Sequence, residues 1–273
     1  MSGSGADRLA RRMLKEARAL AVPSLPDPDV LAPAPLDFAR AAGLEPDAWQ
    51  RAVLESETRK TLLLCSRQSG KSTVSALLAA QEAAYTPGAL VLMLAPSLRQ
   101  SGELFRTCLG ILKRVALPVP AIAAESALRV ELDNGARIIA LPGSEATTRG
   151  YSAATLVVID EAARVVDELI AAVRPALATT NGRIIALSTP AGRRGWFWQQ
   201  WTHGEGWERT RIAAADCPRI AAAFLADERQ QLGEFVYTQE YECEFIDSDT
   251  AVFSSELIAR ALSDDVRPLW SVT

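Results

Sequence analysis

Gly70, Lys71 and Ser72 have the types and the order needed to hold a nucleoside triphosphate. They follow the apolar run "TLLLCS" at 61–66 and precede a stretch of good helix formers, "TVSALLAAQEAA". A loop between a strand and a helix points its backbone N–H groups at one place, where phosphate oxygens bind. In such a loop Lys71 reaches the β- and γ-phosphates, and the Ser72 hydroxyl coordinates Mg²⁺.

The general pattern G-x-x-x-x-G-K-[ST] requires glycine at the place of Cys65, so a second motif is needed. "TLVVIDEAARV" supplies it, because four apolar residues lead to Asp160 and Glu161 at the end of a predicted strand, where open α/β sheets bind ligands. Asp160 can hold Mg²⁺ through its water shell, and Glu161 can polarise an attacking water. The alternative for an acidic pair is a helix N-cap, and the upstream Lys71 favours the nucleotide site.

A third motif, "RIIALSTPAGRRGWFW", is another apolar run that ends in polar side chains. Its last residues are Ser188 and Thr189, whose hydroxyls would lie beside the γ-phosphate as a sensor. The proline and glycines that follow let the next loop move. The sequence thus predicts three ligand-binding loops, each at the end of a strand.

The composition permits an ordinary α/β protein and excludes several other classes. With 273 residues, 49% hydrophobic and 23% charged, the chain can form one large domain or two small ones. We expect an intracellular protein, since no run is long enough for a membrane span and no signal segment is visible. Four scattered cysteines and the single His203 leave no zinc ligand set. The net charge of −4 argues against a uniformly basic nucleic-acid coat but permits a local basic patch.

The elements that position the motifs follow from short apolar runs separated by helical segments. These runs lie at 61–66, 89–96, 136–143, 155–161 and 183–190. Unalternated runs of this length are typical of central strands in a mainly parallel sheet covered on both faces. Asp133, Asn134 and Gly135 lie between two alternating runs and predict a hairpin, so one antiparallel element is expected before the strand at 155–161.

Three segments are predicted along the chain. Residues 1–36 form a basic amphipathic helix and a proline-rich tether, and this helix either docks on a partner or DNA or packs on its own domain. Residues 37–215 form the core, and residues 216–273 form a lid or linker subdomain. The acidic tail is interpreted as a solvated linker that leads to a domain absent from this chain.

The order and wording of these motifs resemble the large terminase subunit of tailed double-stranded DNA phages. "PDAWQRAVL" resembles the family's adenine-recognition segment, and "CSRQSGKST" resembles its variant phosphate loop. "LAPSLRQSGELF", "LPGSEATTRGYSA", "VVIDEAARV" and "LSTPAGRRGWFW" follow in the family's order, and "QEYECEFIDSDTAVFSSELI" resembles the boundary between its ATPase and nuclease domains. The resemblance covers residues 40 to 260.

The resemblance implies a P-loop NTPase of the ASCE type, with a mainly parallel sheet flanked by helices and a small C-terminal lid or linker subdomain. It implies an ATPase motor that hydrolyses Mg-ATP to move double-stranded DNA into a procapsid, without nuclease activity in this chain. The implied partners are double-stranded DNA, the portal protein, the small terminase subunit and further copies of the chain in a ring, although the subunit could be a monomer in isolation. The implied location is the host cell cytoplasm, at the portal vertex of the procapsid, with no membrane.

The resemblance also implies residue roles. Gln50 would hydrogen-bond the adenine edge, and Arg67 would lie near the γ-phosphate and stabilise transition-state charge. Arg149 would act on a neighbouring subunit's ATP, or it would instead form a surface salt bridge. The implied ATP-binding loop comprises Ser66, Gln68, Ser69, Gly70, Lys71, Ser72 and Thr73. Ser72 and Asp160 would hold Mg²⁺, Glu161 would be the catalytic base, and Ser188 with Thr189 would couple hydrolysis to movement.

Three alternatives stay open from the sequence. "VIDEA" also resembles helicase-like DNA-dependent ATPases, which need a second ATPase-like lobe that the length after Thr189 would not hold. A small-molecule kinase would bind the same phosphates, but Glu161 beside Asp160 suits a hydrolase better. A nucleotide-binding assembly module with weak turnover alone is the third, if Arg149 must come from a neighbour.

Overall fold

The fold is built on an eight-stranded sheet in this computed structural model, which describes residues 32–141 and 150–247. The strands are β1 (Lys60–Cys65), β2 (Leu90–Leu94), β3 (Ile122–Glu125), β4 (Arg129–Leu132), β5 (Arg137–Ala140), β6 (Leu156–Asp160), β7 (Arg183–Ser188) and β8 (Glu208–Ile212). The α-helices are α1 (Pro35–Ala41), α2 (Ala48–Glu55), α3 (Lys71–Tyr85), α4 (Leu98–Arg114), α5 (Asp167–Val173), α6 (Gly195–His203) and α7 (Ala222–Glu240). The predicted basic N-terminal helix and Arg149 lie outside the described residues.

The centre of the sheet is parallel and buried. The strand order is β3-β4-β5-β2-β6-β7-β1-β8, and the six strands from β5 to β8 in that order are parallel. Every residue of β2 and β6 is buried, because helices cover both faces of the sheet. Side chains on both faces therefore need to be apolar, which explains the unalternated runs. The prediction of a mainly parallel sheet flanked by helices is confirmed.

The predicted hairpin joins β4 to β5, and its turn is tied to α3. Gly135 has φ +80°, which glycine adopts without strain, and the buried Asn134 amide donates to Ala83 O at 2.9 Å. The antiparallel region is larger than the single element that the sequence predicts, because β3 pairs with β4 on the far side. The sequence "IAAE" of β3 is short and mostly exposed, so it carries little strand signal.

The other sheet edge holds a strand that the apolar runs did not indicate. β8 pairs in parallel with β1, and three of the five residues in its sequence "ERTRI" are charged. Edge strands face solvent along one side and so carry polar residues, which hides them from a search for apolar runs. This strand matters for the site, because its pairing with β1 continues as far as Cys65, where the phosphate loop begins.

The C-terminal part packs as a small unit beside the sheet. Within the described residues, α7 is interrupted at Gly233, whose φ is +74° and ψ is 163°. Leu225, Tyr237 and Tyr241 form an apolar cluster with Ala214, separate from the two larger clusters on the faces of the sheet. The boundaries predicted at residues 36 and 215 stay predictions. No helix among the described residues is long and apolar enough to cross a membrane.

Candidate nucleotide site

The sheet brings the three sequence motifs to one edge. β7 lies between β1 and β6, with Leu64 beside Ser188 and Asp160 beside Leu187 in register. Because all three strands are parallel, the loops that follow them begin next to each other. The structure therefore brings together the phosphate loop, the acidic pair and the proposed sensor.

The phosphate loop has the backbone shape of an anion site. Gln68 has φ +59° and Gly70 has φ +89°, and α3 begins directly afterwards at Lys71. Ser66 and Ser69 are fully buried, and the Ser69 hydroxyl donates to Ser66 O at 2.9 Å, which closes the turn. No side chain caps α3 at Gly70, so the first N–H groups of a 15-residue helix remain for an anion.

Cys65 stands where the general pattern has glycine, and the structure explains why no glycine is required. Cys65 is the last residue of β1, is fully buried, and pairs in register with Ile212 of β8. Ser66 N donates to Ile212 O at 2.9 Å, so the strand pairing continues into the loop. Residue 65 therefore has an extended backbone that accepts a side chain. Burial raises the pKa of the Cys65 thiol, which keeps it neutral.

Ser72 and Asp160, which are predicted to hold Mg²⁺, are in direct contact. The Ser72 hydroxyl donates to Asp160 Oδ2 at 3.1 Å, and Glu161 N donates to the other carboxylate oxygen at 2.9 Å. Burial raises the pKa of Asp160, and the neighbouring Glu161 charge adds to this effect while Lys71 opposes it. A hydroxyl and a carboxylate are donors that Mg²⁺ accepts, with phosphate and water completing its shell. These residues fit the ion that the resemblance implies.

Glu161 has a backbone and a position that suit a catalytic carboxylate. Its φ of +49° is unusual for a residue with a side chain, and such strain is concentrated at functional sites. Glu161 Oε1 lies 3.5 Å from Lys71 Nζ, and Oε2 accepts from Arg164 Nη1 at 2.9 Å. The side chain is 22% exposed, so water can reach it.

Arg164 is a site residue that the sequence reasoning missed. It lies in the 3₁₀ turn Ala162–Arg164, and its guanidinium donates to Glu161, to Thr189 Oγ1 at 2.8 Å and to Glu240 Oε1 at 2.9 Å. The sequence holds one signal for this contact. Arg164 follows Glu161 by three residues, and side chains at that spacing lie on the same face of a helical turn.

The sensor residues contact the turn that follows β6. Ser188 Oγ accepts from Ala163 N at 3.2 Å, and Thr189 accepts from Arg164. Both sensor residues are buried. The structure thus connects them to the segment that carries Glu161, and their coupling role stays a prediction.

Arg67 lies on the phosphate loop, but it is paired with the C-terminal helix. Its Nε donates to Glu240 Oε2 at 2.8 Å, and its backbone N donates to Glu240 O at 3.2 Å. The pair raises the pKa of Arg67. Burial opposes ionisation of Glu240, but the hydrogen bond from Arg67 and the charge of Arg164 outweigh it, so the pKa of Glu240 is lowered.

A groove beside Gly70 lies where a nucleotide base would follow its phosphates. Gln50 is buried, accepts from Asp47 N at 2.8 Å and donates weakly to Ser69 O at 3.5 Å. Arg219, which the sequence reasoning also missed, donates to Ser69 O at 2.8 Å. The groove holds about 220 Å³ and is lined by Leu44, Glu45, Pro46, Gln50, Gly70, Thr73, Val74, Leu77 and Arg219.

Fold and site together define a P-loop NTPase in which one strand separates the phosphate-loop strand from the strand that ends in the acidic pair. The chain belongs to the family of terminase large subunits, T4likevirus type, whose N-terminal region matches residues 62–260. The resemblance deduced from the motifs is therefore confirmed.

Individual relatives agree with this assignment. The chain is 27% identical to the terminase large subunit of Thermus virus P23-45 over 253 residues, covering 80% of this chain and 52% of the relative. The chain spans about half the length of the curated relatives it matches. Among solved structures, the large terminase ATPase domain of Thermus phage P74-26 superposes with a TM-score of 0.69 at 21% identity, over 77% of this chain and 97% of that domain. The large terminase of a thermophilic bacteriophage in complex with ADP superposes with a TM-score of 0.60 at 11% identity, over 77% of this chain and 53% of that one. These structures share the fold.

Proposed function

We propose that this chain is the ATPase motor domain of a phage terminase large subunit, which hydrolyses Mg-ATP to drive double-stranded DNA into a procapsid. One observation carries the proposal: Lys71, the Ser72 and Asp160 pair, and Glu161 meet at the carboxyl edge of a parallel sheet. Solved structures of a large terminase from a thermophilic bacteriophage, in complex with ADP and with ATP-gamma-S, support a nucleotide as the ligand.

The phosphate loop and the acidic pair divide the chemistry between them. Backbone N–H groups at the start of α3 and the Lys71 ammonium bind the phosphate oxygens. Ser72 and Asp160 would hold Mg²⁺, which would supply positive charge to offset that of the phosphates. Glu161 orients the attacking water and accepts its proton.

The lysine contact with Glu161 fits this division of roles. Lys71 Nζ lies 3.5 Å from Glu161 Oε1, so each charge compensates the other. Phosphate oxygens compete for the ammonium once nucleotide binds, which frees that carboxylate oxygen to face a water molecule. In a kinase the carboxylate would instead face the hydroxyl of an acceptor, and the hydrolase role needs only water there.

The family supports a proposal for the partners of the motor. Double-stranded DNA is the translocated substrate, and the portal protein and the small terminase subunit are the proposed assembly partners. Several copies of the chain form a ring at the portal vertex of the procapsid, in the host cytoplasm. In that ring we assign to Arg149 a role in hydrolysis of the ATP bound by a neighbouring subunit.

ATP turnover measured with and without double-stranded DNA tests this function, and Glu161→Ala tests the site. We expect DNA to stimulate phosphate release by the wild-type chain. Glu161→Ala should lower kcat by about 10³-fold, because the proton acceptor is lost, while Mg-ADP binding by calorimetry stays unchanged.

Other outcomes of the same experiment would contradict parts of the proposal. Unchanged turnover in Glu161→Ala would show that hydrolysis does not take place at this site. An equal loss of binding and turnover would show that Glu161 is not the base. ADP formation without free phosphate would indicate transfer to an acceptor, as in a kinase. Glu168→Ala, in the first turn of α5, is the control and should keep wild-type activity.

A further inference from the structure

Glu240, in the last turn of α7, touches the nucleotide site through two arginines that come from different motifs. Its side chain is 10% exposed, and each carboxylate oxygen accepts one guanidinium N–H: Oε2 from Arg67 at 2.8 Å and Oε1 from Arg164 at 2.9 Å. Its backbone oxygen also accepts from Arg67 N at 3.2 Å. Three hydrogen bonds therefore attach this residue to the site.

The Arg164 contact leads directly to the proposed catalytic base. Arg164 Nη2 bonds Glu240 while Nη1 bonds Glu161 and Thr189, so the planar guanidinium is fixed on two sides. A guanidinium has a rigid fork, and fixing one nitrogen fixes the direction of the other. The orientation of Glu161 Oε2 thus depends on a carboxylate 79 residues further along the chain.

From this geometry we infer that Glu240 is a positioning residue, which holds Arg164 in place and through it orients the Glu161 carboxylate for hydrolysis. The inference rests on the proposed function, since it concerns the same reaction. It adds the C-terminal helix to the hydrolytic machinery, because the last turn of α7 supplies the anchoring carboxylate.

A positioning role and a merely structural role predict different effects on kcat and on ADP affinity. Losing the anchor lets the Arg164 fork turn, and a misplacement of Glu161 by about 1 Å slows water activation by up to about 100-fold. Nucleotide binding depends on the phosphate loop and Lys71, which Glu240 does not replace. We therefore expect an effect on kcat that is separate from any effect on ADP affinity.

The test compares Glu240→Gln with the wild-type 273-residue chain in ATP turnover, Mg-ADP calorimetry and thermal unfolding. We expect kcat to fall about 30-fold, while the Kd for Mg-ADP stays within about threefold. Glu244→Gln is the matched control, because Glu244 also forms an ion pair with an arginine, Arg211, but contacts none of the site residues described above. It should keep the wild-type kcat.

A double-mutant cycle shows whether Glu240 acts through Arg164. In an Arg164→Ala background, Glu240→Gln should cause no more than about a twofold further loss, because the path to Glu161 is already cut. If Glu240→Gln does not fold, Arg164→Ala alone must still lower kcat about 30-fold with ADP affinity unchanged. Additive losses in the cycle would overturn the inference.

The remaining outcomes separate this inference from the proposed function. A wild-type chain that hydrolyses ATP together with a Glu240→Gln kcat within about twofold of it would overturn only the role of Glu240. A wild-type chain with no ATP turnover under any condition would overturn the proposed function, and this inference with it.

Discussion

The two sides of the phosphate loop differ in the residue types that form them. On the hydrolytic side, Lys71, Glu161, Arg164 and Glu240 form a continuous series of charged contacts. On the base side, the groove next to Gly70 mixes apolar side chains, such as Leu44 and Leu77, with the polar groups of Glu45, Gln50, Thr73 and Arg219. The difference separates two tasks, because charges bind and activate phosphates that all nucleoside triphosphates share, whereas a shaped groove can distinguish one base from another.

The two sides also differ in how they are assembled. The hydrolytic side uses Lys71, Glu161 and Arg164 in the segments that follow β1 and β6, together with Glu240 at the end of α7, whereas the base side uses α2 and the segment after β8. Gly70 belongs to both, because a Cβ there would lie 2.7 Å from Gln50 Nε2. The φ of +89° explains the glycine, because this backbone conformation strains a residue with a side chain. Changes on the hydrolytic side should therefore affect binding or rate strongly, and changes on the base side should affect selectivity.

Lys71→Ala should produce the largest loss of binding. Its ammonium makes charge-assisted contacts to phosphates that no other described lysine can replace, so the Kd for ATP should rise at least about 100-fold. Calorimetry with Mg-ATP measures this change. Lys113→Ala is the control, because Lys113 also pairs with a glutamate, Glu125, but at the surface beyond the site. Tight ATP binding by Lys71→Ala would show that the phosphate loop does not bind the nucleotide.

Gln50→Ala should have a smaller effect that depends on the base. The resemblance implies that the Gln50 amide contacts the base, so its loss should weaken ATP binding by about tenfold, with little change for GTP. The ratio of the two Kd values is the measurement. Gln81→Ala is the matched control, because Gln81 also donates to a backbone carbonyl, Pro33 O, on another part of the surface. An equal loss for both nucleotides would mean that Gln50 only supports the loop.

Cys65→Gly should have the smallest effect on nucleotide binding. Residue 65 is extended and its side chain points into the core, so the ATP Kd should stay within about threefold of wild type. Stability should fall by about 1 to 2 kcal/mol, because glycine is more flexible in the unfolded chain and leaves a cavity. Cys108→Gly, at a fully buried position in α4, should likewise lower stability while the ATP Kd stays close to that of the wild type. A large gain in ATP affinity for Cys65→Gly would contradict this account of the variant loop.

Part of the site was predictable because it is local in sequence. Residues 66–73 lie in one loop and the helix turn after it, and Asp160 and Glu161 end one strand, so their types and spacing were enough to place them. The roles assigned to Gln50, Arg67 and Arg149 rest on family resemblance, the sensor role of Ser188 and Thr189 rests on their place after an apolar run, and all of these stay predictions. The strand β8 escaped prediction because three of its five residues are charged, although it pairs with β1 up to Cys65, where the loop begins.

The sequence by itself determined the parallel sheet, the phosphate loop and the acidic pair, because each depends on the periodicity or spacing of neighbouring residues. Only the tertiary structure decided which distant charges meet them. Glu240 contacts Arg67 across 173 residues, and Arg219 contacts Ser69 across 150. The physical reason is that an ion pair requires only proximity in space. The spacing of charged residues along the chain therefore does not indicate which arginine and which glutamate the fold brings together.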